Sequence, residues 1–147
     1  MADTIMRGVL AGLFAAVADS LIGIAAYLEL GTLTTAHYLS ELIFPHHAVN
    51  LIRYGFGLIV HFIAAALLGV LLAIIFKHFG SDYAYPKGMG FGLILWVIYV
   101  LVIPNIVYPH LDLYHSEMEA GVDLIGHVVY GLVATYYLVK TEEKPAV

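Results

Sequence analysis

Residues 55–69, GFGLIVHFIAAALLG, and residues 121–134, GVDLIGHVVYGLVA, are two similar apolar segments with a histidine at corresponding places, His61 and His127. An ionisable side chain at membrane depth is costly unless it faces a bundle interior and has a partner there. The pair therefore points both to a fold and to a place in it. The chain is 147 residues long, 62% hydrophobic and 12% charged, with mean hydropathy +0.92, and a soluble domain of that size could not hide so much apolar surface from water.

Four apolar spans follow, at about 5–28, 54–76, 88–108 and 122–139, each near the roughly 20 residues that cross a hydrocarbon core. The first has Arg7 ahead of an apolar run and small residues at Ala25 and Ala26, as a secretory signal does. It is longer than a signal core and the third span repeats its pattern, so it reads as a retained helix. Almost nothing is left for a soluble domain. Residues 141–147 read as a disordered cytoplasmic tail, and the lipid bilayer is the first partner.

Arg7, Lys77, Lys87, Lys140 and Lys144 fall at the termini or in the second loop, and only Arg53 lies by the first loop, so both termini are predicted to be cytoplasmic. The outward loops are then acidic and histidine-rich, and the net charge of −5 argues against a nucleic-acid partner. With no cysteine, disulfides, thiolate metal sites and covalent c-type haem attachment are out of consideration.

An internal repeat can be stated residue by residue. Arg7, Gly8, Gly12 and Leu13 align with Lys87, Gly88, Gly92 and Leu93, and Leu58, Ile59 and His61 align with Leu124, Ile125 and His127. Two duplicated helical hairpins of the same orientation follow, related by an axis along the membrane normal. The predicted fold is an all-α, four-helix membrane bundle of one domain.

Small residues three or four apart mark the faces that meet, since packing drives helix association in lipid. Gly8, Gly12, Ala16, Asp19 and Gly23 form one stripe; Gly57, His61, Ala65 and Gly69 a second; Asp123, His127, Gly131 and Ala134 a third. At 1.5 Å per residue, Asp19 lies about 18 Å from Arg7, His127 about 20 Å from Lys140, His61 about 24 Å from Lys77 and Tyr99 about 18 Å from Lys87. Asp19, His61, Tyr99 and His127 should thus share one layer, with Tyr130 a turn from it. That layer suits a hydrogen-bonded polar cluster, a bis-histidine b-type haem, or a quinone, proton or metal-ion site.

A second set of donors lies in the outward loops: His46, His47, His110, Asp112, His115, Glu117 and Glu119. Oxygen and nitrogen donors of this kind bind zinc, copper or iron, but no established ligand spacing is present, so solvated loop polarity is the first account of them and a pH-sensing surface a further option. Pro104-Asn105 is expected to kink or end the third span. Trp96, Tyr108, Tyr114 and Tyr137 suit core or interface anchoring, and residues 35–44 read as a short amphipathic helix on the outer surface.

The run Lys87-Gly88, Gly90-Phe91-Gly92-Leu93, Trp96 and Pro104, with residues 123–131, resembles small four-span bacterial inner-membrane proteins of the YagU-like and YqhR-like groups. The resemblance covers the second to fourth spans and implies a bacterial or archaeal inner-membrane protein, with no catalytic residue to carry over. Three functions fit: an accessory subunit holding haem or quinone, a small oligomeric transporter or proton-translocating protein, and a structural subunit assembled with other membrane subunits. An enzyme is least favoured, because no nucleophile with its base and no phosphate loop is visible.

Overall fold

The computed structural model describes residues 4–107, 109 and 115–142. Among them the chain is all-helical, with α1 (Thr4–Leu30), α2 (Thr35–Ile43), α3 (Leu51–Phe79), α4 (Ala84–Val97, continuing as a π-helical stretch Ile98–Val107) and α5 (Glu117–Lys140). Four of these are long and apolar enough to cross a membrane: α1, α3, α4 with its continuation, and α5. Only 22–39% of their most apolar windows is buried inside the protein, so the large exposed residues, such as Phe14, Leu21, Ile59 and Ile94, are left for lipid.

Local chemistry sets the helix ends. Asn50 caps α3 by accepting from the Arg53 amide at 3.0 Å, and Ser116 and Glu119 form a reciprocal capping box that starts α5 well before residue 122. Gly31 and Gly80, with φ of 70° and 72°, end α1 and α3 in a backbone conformation that costs glycine little. Arg7 and Lys87 cover carbonyls at helix C-termini: Arg7 donates to the Leu138 carbonyl at 2.6 Å, and Lys87 to those of Phe79 and Gly80 at 3.0 and 2.9 Å.

Glycine decides which helices touch. A side chain at Gly12 would strike the Ala65 carbonyl and one at Gly69 the Gly8 carbonyl, so α1 and α3 pack backbone to backbone. Gly92 against the His127 carbonyl and Gly88 against Gly131 and Thr135 do the same for α4 and α5. The core along α1 is accordingly small-residued, with Ala11, Ala15, Ala16, Ala65 and Ala134 around Leu72 and Leu138. α1 packs on both α3 and α5, and α4 packs on α5, whereas α3 and α4 scarcely touch. The bundle is open along that side.

Two expectations need correcting. Residues 35–43 do not lie flat on a surface: α2 buries Ala36, Tyr38 and Ser40, and Gly57 of α3 lets the Ala36 carbonyl come into direct contact, so α2 roofs one end of the bundle. Pro104 does not end the third span. The wider π-helical winding carries the chain past it to Val107 with the ring fully buried, and Asn105 Nδ2 donates to the Leu101 carbonyl at 2.9 Å. Tyr108 and Tyr114 lie outside the described residues.

Candidate functional site

The missing contact between α3 and α4 leaves a cavity of about 260 Å³ under α2. Its polar lining is made by Asp19 of α1, Thr35 of α2, His61 of α3, Tyr99 of the π-helical stretch, and His127 and Tyr130 of α5. Its walls are apolar: Ala64 and Leu68 on one side, Leu95, Ile98 and Ile103 on the other. The four residues assigned to one layer from the sequence, Asp19, His61, Tyr99 and His127, thus line one space, together with Tyr130.

His61 Nε2 lies 3.4 Å from Asp19 Oδ2, with both side chains about 12% exposed. The contact has ion-pair distance, but the ring nitrogen is not aligned for a well-formed hydrogen bond. Asp19 Oδ1 in turn rests on Gly126, where no Cβ stands in its way, so glycine brings the carboxyl group of α1 against α5 one residue before His127. His127 Nδ1 lies 2.7 Å from the Asp123 carbonyl, which can only accept, so Nδ1 carries the proton and Nε2 of the neutral ring is an acceptor. Its ring lies 5.4 Å from that of Tyr99.

Tyr99 is buried, and its hydroxyl faces the side chain of Thr35 without the geometry of a well-formed hydrogen bond. Tyr130 is different. Its hydroxyl donates to the Ala65 carbonyl at 2.6 Å, pinning α5 to α3, so the residue contributes wall and not a free donor.

Behind Tyr99 lies a second polar cluster. His115 Nδ1 is 3.1 Å from Asp123 Oδ2, with side chains 3% and 9% exposed, and its ring packs 4.2 Å from Tyr38 and 4.9 Å from Tyr99. Sequence reading placed His115 with the loop donors. The capping box pulls it instead to the buried mouth of α5. Glu119 ties this cluster to α2, accepting from the Tyr38 hydroxyl at 2.8 Å and the Leu33 amide at 3.0 Å. Burial and the Glu119 carboxylate push the Tyr38 phenol well above its ordinary range, so it remains a donor.

His46, His47 and Glu117 are exposed, and His110 and Asp112 lie outside the described residues. Among the described residues no three histidine, aspartate or glutamate side chains converge to hold a metal ion. Asp123 stands in the fourth-span stripe read from the sequence and Glu119 among the loop donors; the Ser-x-x-Glu capping pattern is the signal that would have moved Glu119 to the start of a helix.

Four apolar helices that gather these groups in their interior are those of a multi-pass membrane protein. The chain belongs to DUF6789, a family of unknown function, whose model matches residues 2–147 and so includes the first span. No link to the YagU-like or YqhR-like groups is shown. Neither a curated protein nor a solved structure matches the chain.

Proposed function

We propose that this protein is an intramembrane binding module for a small lipophilic molecule of the quinone class, working as an accessory subunit beside other membrane proteins or further copies of itself. The observation that carries this is a mostly apolar cavity with a few polar side chains in its lining, placed where two membrane helices scarcely touch. A molecule dissolved in lipid reaches such a site sideways, its tail staying with the acyl chains. The Tyr99 hydroxyl, set beside Thr35, offers its proton to a quinone carbonyl, and His127 Nε2 accepts from a quinol hydroxyl.

A b-type haem suits the site less well. The cavity falls below the roughly 300–1,000 Å³ of drug-sized ligand pockets, and His61 turns Nε2 to Asp19.

Two finer features belong to this reading. The duplicated hairpin is supported by Gly8, Gly12, Gly88 and Gly92 all lying on partner backbones, and by Arg7 and Lys87 both capping C-termini, Arg7 that of α5 and Lys87 that of α3. Gly12 meets Ala65 whereas Gly92 meets His127, the counterpart of His61, so the copies differ in register by one turn. The basic residues put both termini in the cytoplasm of a bacterial or archaeal cell, with the α2 end outside.

Trp96 is the chain's single tryptophan and stands next to Leu95 of the cavity wall, so its fluorescence reports occupancy. Titration of the protein in lipid nanodiscs with decylubiquinone is expected to quench Trp96 saturably. Tyr99→Phe should weaken binding roughly tenfold, the effect of one buried hydrogen bond. His61→Ala and His127→Ala should each weaken it, and the double variant little more, because they serve one unit. Linear, unsaturable quenching unaffected by all three would contradict the assignment.

A further inference from the structure

Asp19 and His61 line two spaces at once. On one side is the binding cavity; on the other is a pocket of about 20 Å³ bounded by Ser20, Gly23, Thr34 and Tyr54. That is room for one water, which needs roughly 10–15 Å³ and two to four polar partners. Its lining includes Asp19, Ser20, Thr34 and Tyr54, whose carboxyl and hydroxyl groups are of the kind such a water needs. Thr34 and Tyr54 also line a groove that opens at the surface beside His37 and Asn50.

The three spaces are thus joined in series by shared side chains. Polar contacts continue along them: Thr34 Oγ1 lies 3.0 Å from His37 Nδ1 and 3.4 Å from Tyr54 Oη. The Thr34 amide also donates to His37 Nδ1 at 3.2 Å, so the proton of the neutral ring is on Nε2, and burial lowers the ring's affinity for a second one. Towards the other end of the bundle the buried interior is apolar apart from Thr135. There Ala11, Ala15, Leu72, Ala73, Ala134 and Leu138 close the interior.

We infer that Asp19 and His61 form a proton-exchange site that communicates with water on the α2 face alone, through a single-water link at Tyr54 and Thr34. A proton entering from the surface passes to the water in the small pocket, and that water gives one to Asp19 or His61 as it accepts the next. From there the proton is available to a ligand hydroxyl or carbonyl in the cavity, with no redox step required. The titratable groups around the pair are Tyr54 from α3, Tyr99 from the π-helical stretch, and Asp123, His127 and Tyr130 from α5, with His115 behind Asp123.

The inference takes the cavity as the site proposed above, but exchange at Asp19 and His61 is measured without any quinone present. Infrared bands of the pair, assigned by difference against Asp19→Asn, are followed after the full-length protein in nanodiscs is mixed with D₂O. Wild type is expected to exchange rapidly. Gly23→Val fills the water pocket, since the nearest atoms to a Cβ there are those of Thr34 at 3.7–3.8 Å, and should slow exchange tenfold or more. Tyr54→Phe, which removes one hydroxyl and little volume, should slow it several-fold, while Tyr136→Phe at the opposite end should leave it unchanged. Exchange at the wild-type rate in Tyr54→Phe, or in a folded Gly23→Val, would overturn the inference. Loss of saturable quinone binding with this pattern intact would instead remove the proposed ligand and leave the proton site standing.

Discussion

Gly12→Ala is expected to destabilise the protein by about 1–3 kcal/mol, whereas Gly126→Ala leaves its thermal unfolding close to wild type. Both substitutions gain up to about 1 kcal/mol of helix propensity, so the neighbours decide the difference. At Gly12 the new methyl group meets the carbonyl of Ala65, a backbone atom that yields only if α1 and α3 separate. At Gly126 it meets Oδ1 of Asp19, the far end of a side chain that can rotate away. Rotation takes the carboxyl group from His61, so Gly126→Ala should impair quinone binding while keeping the fold. Thermal melting in detergent, paired with Trp96 quenching, checks both halves. Equal melting of the two variants would mean that backbone contact between α1 and α3 does not carry the stability assigned to it.

Ala64→Phe should abolish decylubiquinone binding, by roughly a hundredfold or more in affinity, without unfolding the protein. Ala64 is on the α3 wall of the cavity, and a phenyl ring would occupy much of its 260 Å³. Overpacking usually forces backbones apart. Here α3 and α4 are already apart, and the ring takes the place of the ligand instead of displacing a packed neighbour. Ile59→Phe, on an exposed part of the same helix, is the matched control and should bind as wild type does. If Ala64→Phe retains full affinity, the ligand lies elsewhere.

The membrane helices and the polar layer were legible because each depends on short-range rules. Apolar run length gives the spans, and a rise of 1.5 Å per residue places Asp19, His61, Tyr99 and His127 at one depth. What could not be read was which pair of neighbouring helices would fail to close. That follows from the depth of backbone approach at Gly12, Gly69, Gly88 and Gly92, and from Pro104, whose π-helical surroundings a pattern of apolar residues does not encode. The roof formed by α2 was missed for a related reason. The amphipathic pattern of residues 35–43 identifies a helix with one apolar face, but only the contact at Gly57 reveals that this face turns inward. His115 was misplaced because its neighbours were taken as loop, when Ser116 and Glu119 begin a helix beside it.

The cavity as a lateral binding site is the central claim, and photoaffinity labelling tests it most directly. An azido-substituted short-chain quinone is irradiated with the protein in nanodiscs, and the modified residues are mapped by mass spectrometry. Labelling is expected on the facing walls, at Ala64 and Leu68 of α3 and at Leu95, Ile98 and Tyr99 across the gap, and should disappear with excess decylubiquinone or in Ala64→Phe. Labels confined to outward-facing residues such as Leu21, Ile59 and Leu67, and unaffected by competitor, would show the quinone merely dissolved in lipid and would contradict the account.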